Sequence, residues 1–373
     1  MTQAERLSLR EKLRRWRDGL FASPRFREFT LANPLTRAYA RRRARAMLDL
    51  CAGFVYSQVL LACVRLKLFE ALREGPRTAE ELAPRLALSL EATRRLLGAA
   101  ASLSLAQRRE AGRYGLGDLG AALLGSPEAL ALIDHQPMLY ADLSDPVALL
   151  RGESQAALAD YWPYSAAARP QGLSAEAVAP YSALMAASQP LWGGEALAVY
   201  DIARHRRLLD VGGGEGVFLA LAAARAPELQ LMLFDLPAVA ARAKARLGAA
   251  GLSARAQIFG GNFLEDALPE GADVVSLVRI VHDHDDASAL RLLKNVRRAL
   301  PAGGTLLIVE ALSGQKGAEP IDAYYAFYTL AMGRGEPRRF DDIAALLEAA
   351  GFSKAKLLHA RLPTATSVIV ATA

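Results

Sequence analysis

The chain has 373 residues, 52% of them hydrophobic, a net charge of +6 and two cysteines. A length of that order holds two or three domains, and the apolar content excludes a disordered chain. Cys51 and Cys63 both lie in apolar sequence, which excludes a disulfide scaffold and points to a reducing, cytoplasmic setting. The charged N-terminus lacks the apolar core and cleavage site of a secretory signal. The charge is uneven: residues 1–50 carry 13 Lys and Arg against 5 Asp and Glu, a net of +8, leaving −2 for the rest. Leu9, Leu13, Trp16 and Leu20 recur at helical spacing among arginines. Such a basic amphipathic helix suits an anionic membrane surface or packing on its own protein.

Residues 50–72 predict an apolar helix stopped by Gly75-Pro76. Its apolar run, Leu50 to Val64, is short for a bilayer and reads as a buried helix. Thr78-x-x-Glu81 is a capping box opening a helix over 79–86, and Ser89 caps another over 90–103. A polar segment with Gly112 and Tyr114 follows, giving helix, turn, helix and a short wing. Gly115-Leu116-Gly117-Asp118-Leu119-Gly120 matches G-x-G-x-x-G. No apolar strand precedes it and no βαβ unit follows, so it reads as a turn. Residues 120–200 are Ala-rich and helical, with breaks predicted at Pro127, Pro146, Pro163, Pro170 and Pro180. The resulting division is a basic arm over 1–48, a helical domain over 49–200 and an α/β domain over 201–373.

From 205 onward, apolar runs at 207–211, 229–235, 255–259, 273–281, 304–311, 355–360 and 367–371 alternate with helical patterns. Alternation of this kind makes a mostly parallel sheet covered on both faces. Residues 313–340 interrupt the rhythm with the most aromatic stretch of the chain, Ile321 to Gly335. The first run leads through Asp210 into Gly212, Gly214 and Gly216, followed by an apolar helix from Val217. Strand, glycine turn and helix are where an open α/β sheet holds an adenosine cofactor. A pyrophosphate needs G-x-G-x-x-G, whereas G-x-G-x-G after an acid suits S-adenosylmethionine, which carries no phosphate.

Asp235 ends the second strand, 25 residues after Asp210, where an acid accepts hydrogen bonds from ribose hydroxyls. Asn262 follows the third strand and can pair with the adenine edge. Leu236, Phe263 and Arg279 stand beside these positions and are counted with the cofactor site. His282 lies in Val281-His-Asp-His-Asp-Asp286 at the end of the fourth strand, at the ligand crevice, with the ordinary pKa of a general base. No Cys joins this cluster, and strand alternation sends its members apart, so no metal is expected. Asp285 and Asp286 read as caps of the next helix. Glu310 ends the fifth strand, close enough to orient the imidazole. Tyr181, Met185, Tyr324, Tyr325, Phe327, Tyr328 and Met332 are the candidate walls of an apolar substrate tunnel; core packing is the alternative for them.

Asp210-Val-Gly-Gly-Gly-Glu-Gly216, Phe234-Asp-Leu-Pro237, Gly261-Asn-Phe263, His282-Asp-x-Asp-Asp286 and Leu300-Pro-x-Gly-Gly304 before Glu310 occur in order. Together they resemble the plant-type S-adenosylmethionine-dependent O-methyltransferases. That resemblance implies a Rossmann-like catalytic domain, an N-terminal winged-helix dimerisation domain and a homodimer. It implies Gly212, Gly214 and Asp235 at the cofactor, His282 as catalytic base, Glu310 as the carboxylate orienting it, and Glu336 near the family's second carboxylate. The chain departs from the family at Asn262, usually Asp, and at His284, usually Trp. Pro34-Leu-Thr-Arg37, Ala52 to Val64, Val278 to Asp286 and Tyr325 to Gly333 further resemble the branch that methylates the tertiary 1-hydroxyl of acyclic carotenoids in phototrophic bacteria. That branch implies a hydroxycarotenoid substrate and a place on the cytoplasmic side of a photosynthetic membrane. A bacteriochlorophyll precursor is the alternative acceptor. A winged-helix DNA-binding regulator is the alternative from another class. It is disfavoured because the helix over 90–103 is mostly apolar and lacks base-reading side chains, so nucleic acid is not an expected partner.

Overall fold

A computed structural model describes residues 8–154, 156–162, 170–361 and 366–373; the predicted break at Pro163 lies outside them. The chain divides into two units, up to Leu119 and from Gly120 onward.

In the first unit, Ser8 caps the helix Leu9–Ala22, and Pro24–Ala32 and Pro34–Arg65 follow, each with proline in its first turn. The proline ring presets the first helical φ where no N–H partner is needed. The third helix starts earlier than the sequence predicts because its arginine run is itself helix-compatible. It stops at Leu66 and Lys67, where Lys67 adopts φ 55° before the separate helix Leu68–Arg73. The expectation of a buried helix over 50–64 is not met within one chain. Of helix Pro34–Arg65 only Leu61 and Cys63 are buried, while Met47, Leu48, Leu50 and Phe54 are exposed. By length and composition this 32-residue helix is apolar enough to cross a membrane, which the shorter run had not suggested.

The capping box at Thr78 and Glu81 is present, although its helix is limited to Ala79–Leu82. Ser89 caps Leu90–Ser102. β1 (Ala106–Arg108) pairs antiparallel with β2 (Tyr114–Leu116), and Arg77 bridges to Tyr114, completing the wing. The G-x-G-x-x-G match straddles the end of β2 and the start of the helix Asp118–Leu124. Arg94 and Arg95 pair with Glu80 and Glu91.

The second unit begins before the boundary expected near 200. Helix Ala175–Val199 runs through Pro180 and Pro190, and its Trp192, Ala196 and Leu197 pack with Phe218, Leu219 and Ala222 against the sheet. That burial offsets the roughly 3 kcal/mol that an interior proline costs and makes these helices part of the catalytic unit.

Its strands are β3 (Arg207–Val211), β4 (Gln230–Asp235), β5 (Ala256–Gly260), β6 (Val274–Val278), β7 (Thr305–Glu310), β8 (Ser353–Leu358) and β9 (Ser367–Thr372). Among the described residues they form one sheet in the order β5-β4-β3-β6-β7-β9-β8, parallel except for β9. The chain moves outward from β3 to β5, then returns to place β6 on the other side of β3. That reversal opens a crevice at the carboxyl ends of β3 and β6. β3, β6 and β7 are almost wholly buried, and their Leu, Val and Ile runs feed cores on both faces. The aromatic insertion becomes helix Glu319–Met332, packed through Ala331 and Met332 on Leu139, Leu149 and Leu158.

Phe218 is fully buried between β3, β4 and helix Ala175–Val199. Phe218→Ala is expected to destabilise the second unit by about 3–5 kcal/mol, read from denaturant unfolding followed by tryptophan fluorescence.

Candidate active site

The turn after β3 is shaped by glycine and by one acid. Gly212 (φ +68°) donates its N–H to the Phe234 carbonyl at 2.8 Å, and Gly214 (φ +57°) donates to Asp235 Oδ2 at 2.8 Å. Leu236 N–H donates to the other carboxylate oxygen at 2.7 Å. A Cβ at Gly212 would run into Ile280, whereas the space beside Gly214 is open. These left-handed conformations are open to glycine at little cost. Glu215, which sequence reasoning passed over, is buried and held by Arg242 and Arg246 through four hydrogen bonds of 2.6–2.9 Å. The arginines' i, i+4 spacing was the available signal. Asp210 is fully buried; Ser276 Oγ donates to its Oδ1 at 2.6 Å, and its Oδ2 has no hydrogen-bond partner among the described residues. Burial pushes Asp210 up to about 7 and Asp235 up to about 6.

A cavity of about 180 Å³ opens over this turn. Gly212, Gly214, Asp235, Leu236, Asn262, Phe263 and Arg279 all line it, with Tyr181 and Met185. Asn262 Oδ1 accepts the Leu264 N–H at 3.0 Å, so its carbonyl is committed to the turn. His284 also lines the cavity, its ring edge-on to Phe263 at 5.5 Å. Burial lowers its pKa.

β6 ends at Val278, short of the apolar run predicted to 281. Arg279 turns to φ +61° and its N–H bonds the Val309 carbonyl at 2.8 Å. A single 3-10 turn, Val281–Asp283, then presents His282. Glu310, 1% exposed, governs this turn. Its Oε1 accepts from Ile280 N at 2.9 Å and Val281 N at 2.7 Å, and its Oε2 accepts from His282 Nδ1. The opposite ring nitrogen, Nε2, lies 3.1 Å from Asp283 Oδ1. Asp283 is a carboxylate the sequence reading left unassigned. Burial would lower the His282 pKa, but Glu310 and Asp283 outweigh it and push it up to about 10. Glu336, expected as the second carboxylate, turns its side chain outward at 62% exposure and lines neither cavity; only its N–H reaches the loop, at the His282 carbonyl. Asp283, not Glu336, stands against the imidazole.

A second cavity of about 330 Å³ holds His282, Tyr324, Tyr325, Tyr328 and Met332. The Tyr325 ring lies 6.3 Å from that of His282, edge-on. Phe327 is absent from the lining because helical geometry turns it about 100° away from the face carrying Tyr324, Tyr325, Tyr328 and Met332. His135 and Gln136, not anticipated, hydrogen-bond Tyr328 and Tyr324 at 3.2 and 2.9 Å. Tyr181, Met185, Arg279 and Asp283 line both cavities. Arg279 stacks over Trp192 at 4.1 Å and donates to Ser188 Oγ at 2.9 Å. Among the described residues no group of three His, Cys, Asp or Glu is placed to hold a metal.

An O-methyltransferase domain matches residues 140–353, and an O-methyltransferase dimerisation domain matches residues 48–126. The chain is similar to the demethylspheroidene O-methyltransferase of Cereibacter sphaeroides, 44% identical over 94% of this chain and 93% of that one. It is also similar to that of Rhodobacter capsulatus, 40% identical over 94% and 87%. Among solved structures, the methyltransferase of calicheamicin biosynthesis, with S-adenosylhomocysteine bound, superposes with a TM-score of 0.70 at 27% identity, covering 88% of this chain and 98% of that one. S-adenosylmethionine is therefore the cofactor. The residues present fit it: open space beside Gly214, the Asp235 carboxylate and the Arg279 cation stand at one cavity, whereas Asp210, expected at the cofactor, lies buried beneath the turn and is not part of the lining.

Asp235→Asn removes a charged acceptor worth about 1.5–3 kcal/mol, so the cofactor Kd should rise about 10- to 100-fold by titration calorimetry. In the unmodified protein, protonation of Asp235 should weaken binding as pH falls through about 6, and the Asn variant should lose that dependence.

Proposed function

Because the chain belongs to the O-methyltransferase family and uses S-adenosylmethionine, we propose that it methylates the tertiary 1-hydroxyl of an acyclic hydroxycarotenoid of the demethylspheroidene type, with His282 as base. The observation that carries this reading is the junction of the two cavities at Tyr181, Met185, Arg279 and Asp283, with His282 on the acceptor side. The activity named for the two bacterial relatives supports the acceptor class.

Bound cofactor supplies a sulfonium-activated methyl for in-line transfer to oxygen. The protein's part is to bind and orient. Gly212, Gly214, Leu236, Asn262 and Phe263 shape the cofactor cavity, Asp235 takes the ribose hydroxyls, and the cation of Arg279 suits the cofactor's carboxylate. Tyr181, Met185, Tyr324, Tyr325, Tyr328 and Met332 enclose the isoprenoid end that carries the hydroxyl. At about 330 Å³ the second cavity is at the small end of ligand sites. It takes one end of a long polyene, and the remainder extends beyond it.

In the neutral imidazole Glu310 keeps the proton on Nδ1 and leaves Nε2 to face the acceptor. Asp283 occupies that nitrogen's side and yields to the substrate hydroxyl. A tertiary alcohol is too weak an acid for imidazole to ionise in advance, so proton transfer to Nε2 accompanies C–O bond formation.

Homodimer formation is supported by the dimerisation match over 48–126. The exposed face of Met47, Leu48, Leu50 and Phe54 is the surface it would cover. Upstream of that match, Leu9, Leu13 and Trp16 are 78%, 58% and 67% exposed on a helix rich in arginine. This face supports peripheral docking on an anionic membrane, where the apolar substrate dissolves.

Incubation with labelled S-adenosylmethionine and a panel of 1-hydroxycarotenoids and bacteriochlorophyll precursors tests the acceptor; methylation of the tetrapyrroles alone would refute it. His282→Ala should lower kcat at least about 100-fold while cofactor affinity stays within twofold. The unmodified rate should climb as pH rises above neutrality, because an imidazolium accepts no proton and His282 is neutral only above its raised pKa. Removing residues 1–45 should abolish flotation with phosphatidylglycerol vesicles and leave cofactor affinity unchanged; undiminished flotation would assign the arm to packing.

A further inference from the structure

The loop carrying His282 is gripped from two sides. On one, Glu310 takes the N–H groups of Ile280 and Val281. On the other, its carbonyls face the segment 335–338. Arg338 Nη1 donates to the Val281 carbonyl at 2.9 Å and Nη2 to the His284 carbonyl at 2.7 Å, while Nε reaches Asp286 Oδ1 at 2.9 Å. Glu336 N–H donates to the carbonyl of His282 itself at 2.9 Å. Three of the loop's carbonyls, at 281, 282 and 284, are thus captured by two residues, Glu336 and Arg338, of a different segment.

The arrangement is specific to these side chains. The Arg338 side chain is 3% exposed, and its planar fork spans two carbonyls that a point-like ammonium cannot reach together. Its countercharges lie outside the loop's core: Asp286 and Glu336 are 70% and 62% exposed. Gly335 sits at φ +82°, and a Cβ there would overlap the His282 carbonyl oxygen and press on the Asp283 backbone. The loop and the segment therefore fit only with glycine at 335.

We infer that Arg338, aided by the close approach at Gly335, is a positioning residue that aims the His282 imidazole by holding the carbonyls of its loop. It touches neither cavity, so it acts through the loop and not on bound molecules. The inference rests on His282 being the base. An imidazole displaced by about 1 Å from a reacting oxygen costs on the order of 100-fold in rate, whereas the glycine turn and Asp235 at the cofactor cavity belong to β3 and β4 and are bonded to each other, outside the loop that Arg338 holds.

The test uses the full chain with Arg338→Met, Arg338→Lys and Gly335→Ala, each shown folded by circular dichroism. Methyl transfer from labelled S-adenosylmethionine to a 1-hydroxycarotenoid is measured across pH, and the downfield proton of His282 Nδ1 is followed by NMR, assigned with His282→Gln. Arg338→Met and Gly335→Ala should lose about 10- to 100-fold in kcat, with cofactor Kd changed less than threefold, and the His282 proton signal should shift or broaden. Arg338→Lys should recover part of both. Wild-type kcat and an unmoved His282 signal in folded variants, whatever their melting temperature, would overturn the inference. Should Arg338→Met fail to fold, Arg338→Lys and Gly335→Ala carry the same two readouts. If the unmodified protein methylates no hydroxycarotenoid, the acceptor assignment fails, and the NMR comparison still decides the role of Arg338.

Discussion

One buried carboxylate organises the reactive end of this molecule. Glu310, at the end of β7, has no water to solvate its charge, and an isolated buried carboxylate is costly. It is stabilised by three donors: two backbone N–H groups of the adjoining loop and the His282 ring. The bonds that satisfy the acid also stop the chain from continuing β6, bend it at Arg279 and fix which imidazole nitrogen faces the acid. Stability and catalytic geometry are thus one arrangement. It depends on β6 and β7 being neighbours, paired from Val274↔Thr305 to Val278↔Val309.

The cofactor side follows a similar logic with weaker charges. Asp235 is satisfied by the N–H groups of Gly214 and Leu236, so the acid at the end of β4 also fixes the turn after β3. Asp210 lies deeper, bonded to Ser276 on β6, and its other oxygen meets no donor among the described residues. The two acids tie the three central strands together at their carboxyl ends, where the crevice opens. Glu215 adds a third link, from the glycine turn to the helix Pro237–Ala249 through two arginines.

Much of this was legible before folding was considered, and the failures have physical causes. The glycine turn, Asp235, His282 and Glu310 were readable because each combines a rare residue type with a strand end, and strands announce themselves by apolar runs. Glu336 was misplaced because its assignment rested on family resemblance alone, which says nothing of where a side chain points. Asp283 was overlooked because strand alternation would have sent it away from His282; the 3-10 turn brought it back. Phe327 fell away from the tunnel by helical phase. Pro180 did not break its helix because packing on Phe218 and Leu219 outweighed the local penalty.

By itself the amino-acid order determined the elements and their sequence, the parallel character of the sheet, the cofactor class and the residue types at its strand ends. These depend on local periodicity and on steric rules that act over a few residues. Tertiary structure alone decided which acid meets which imidazole nitrogen, that residues 120–200 belong with the sheet, and that the long helix Pro34–Arg65 leaves Met47, Leu48, Leu50 and Phe54 exposed among the described residues. Such outcomes turn on which surfaces and donors become neighbours in space, and distances between residues remote in sequence carry no periodic signal.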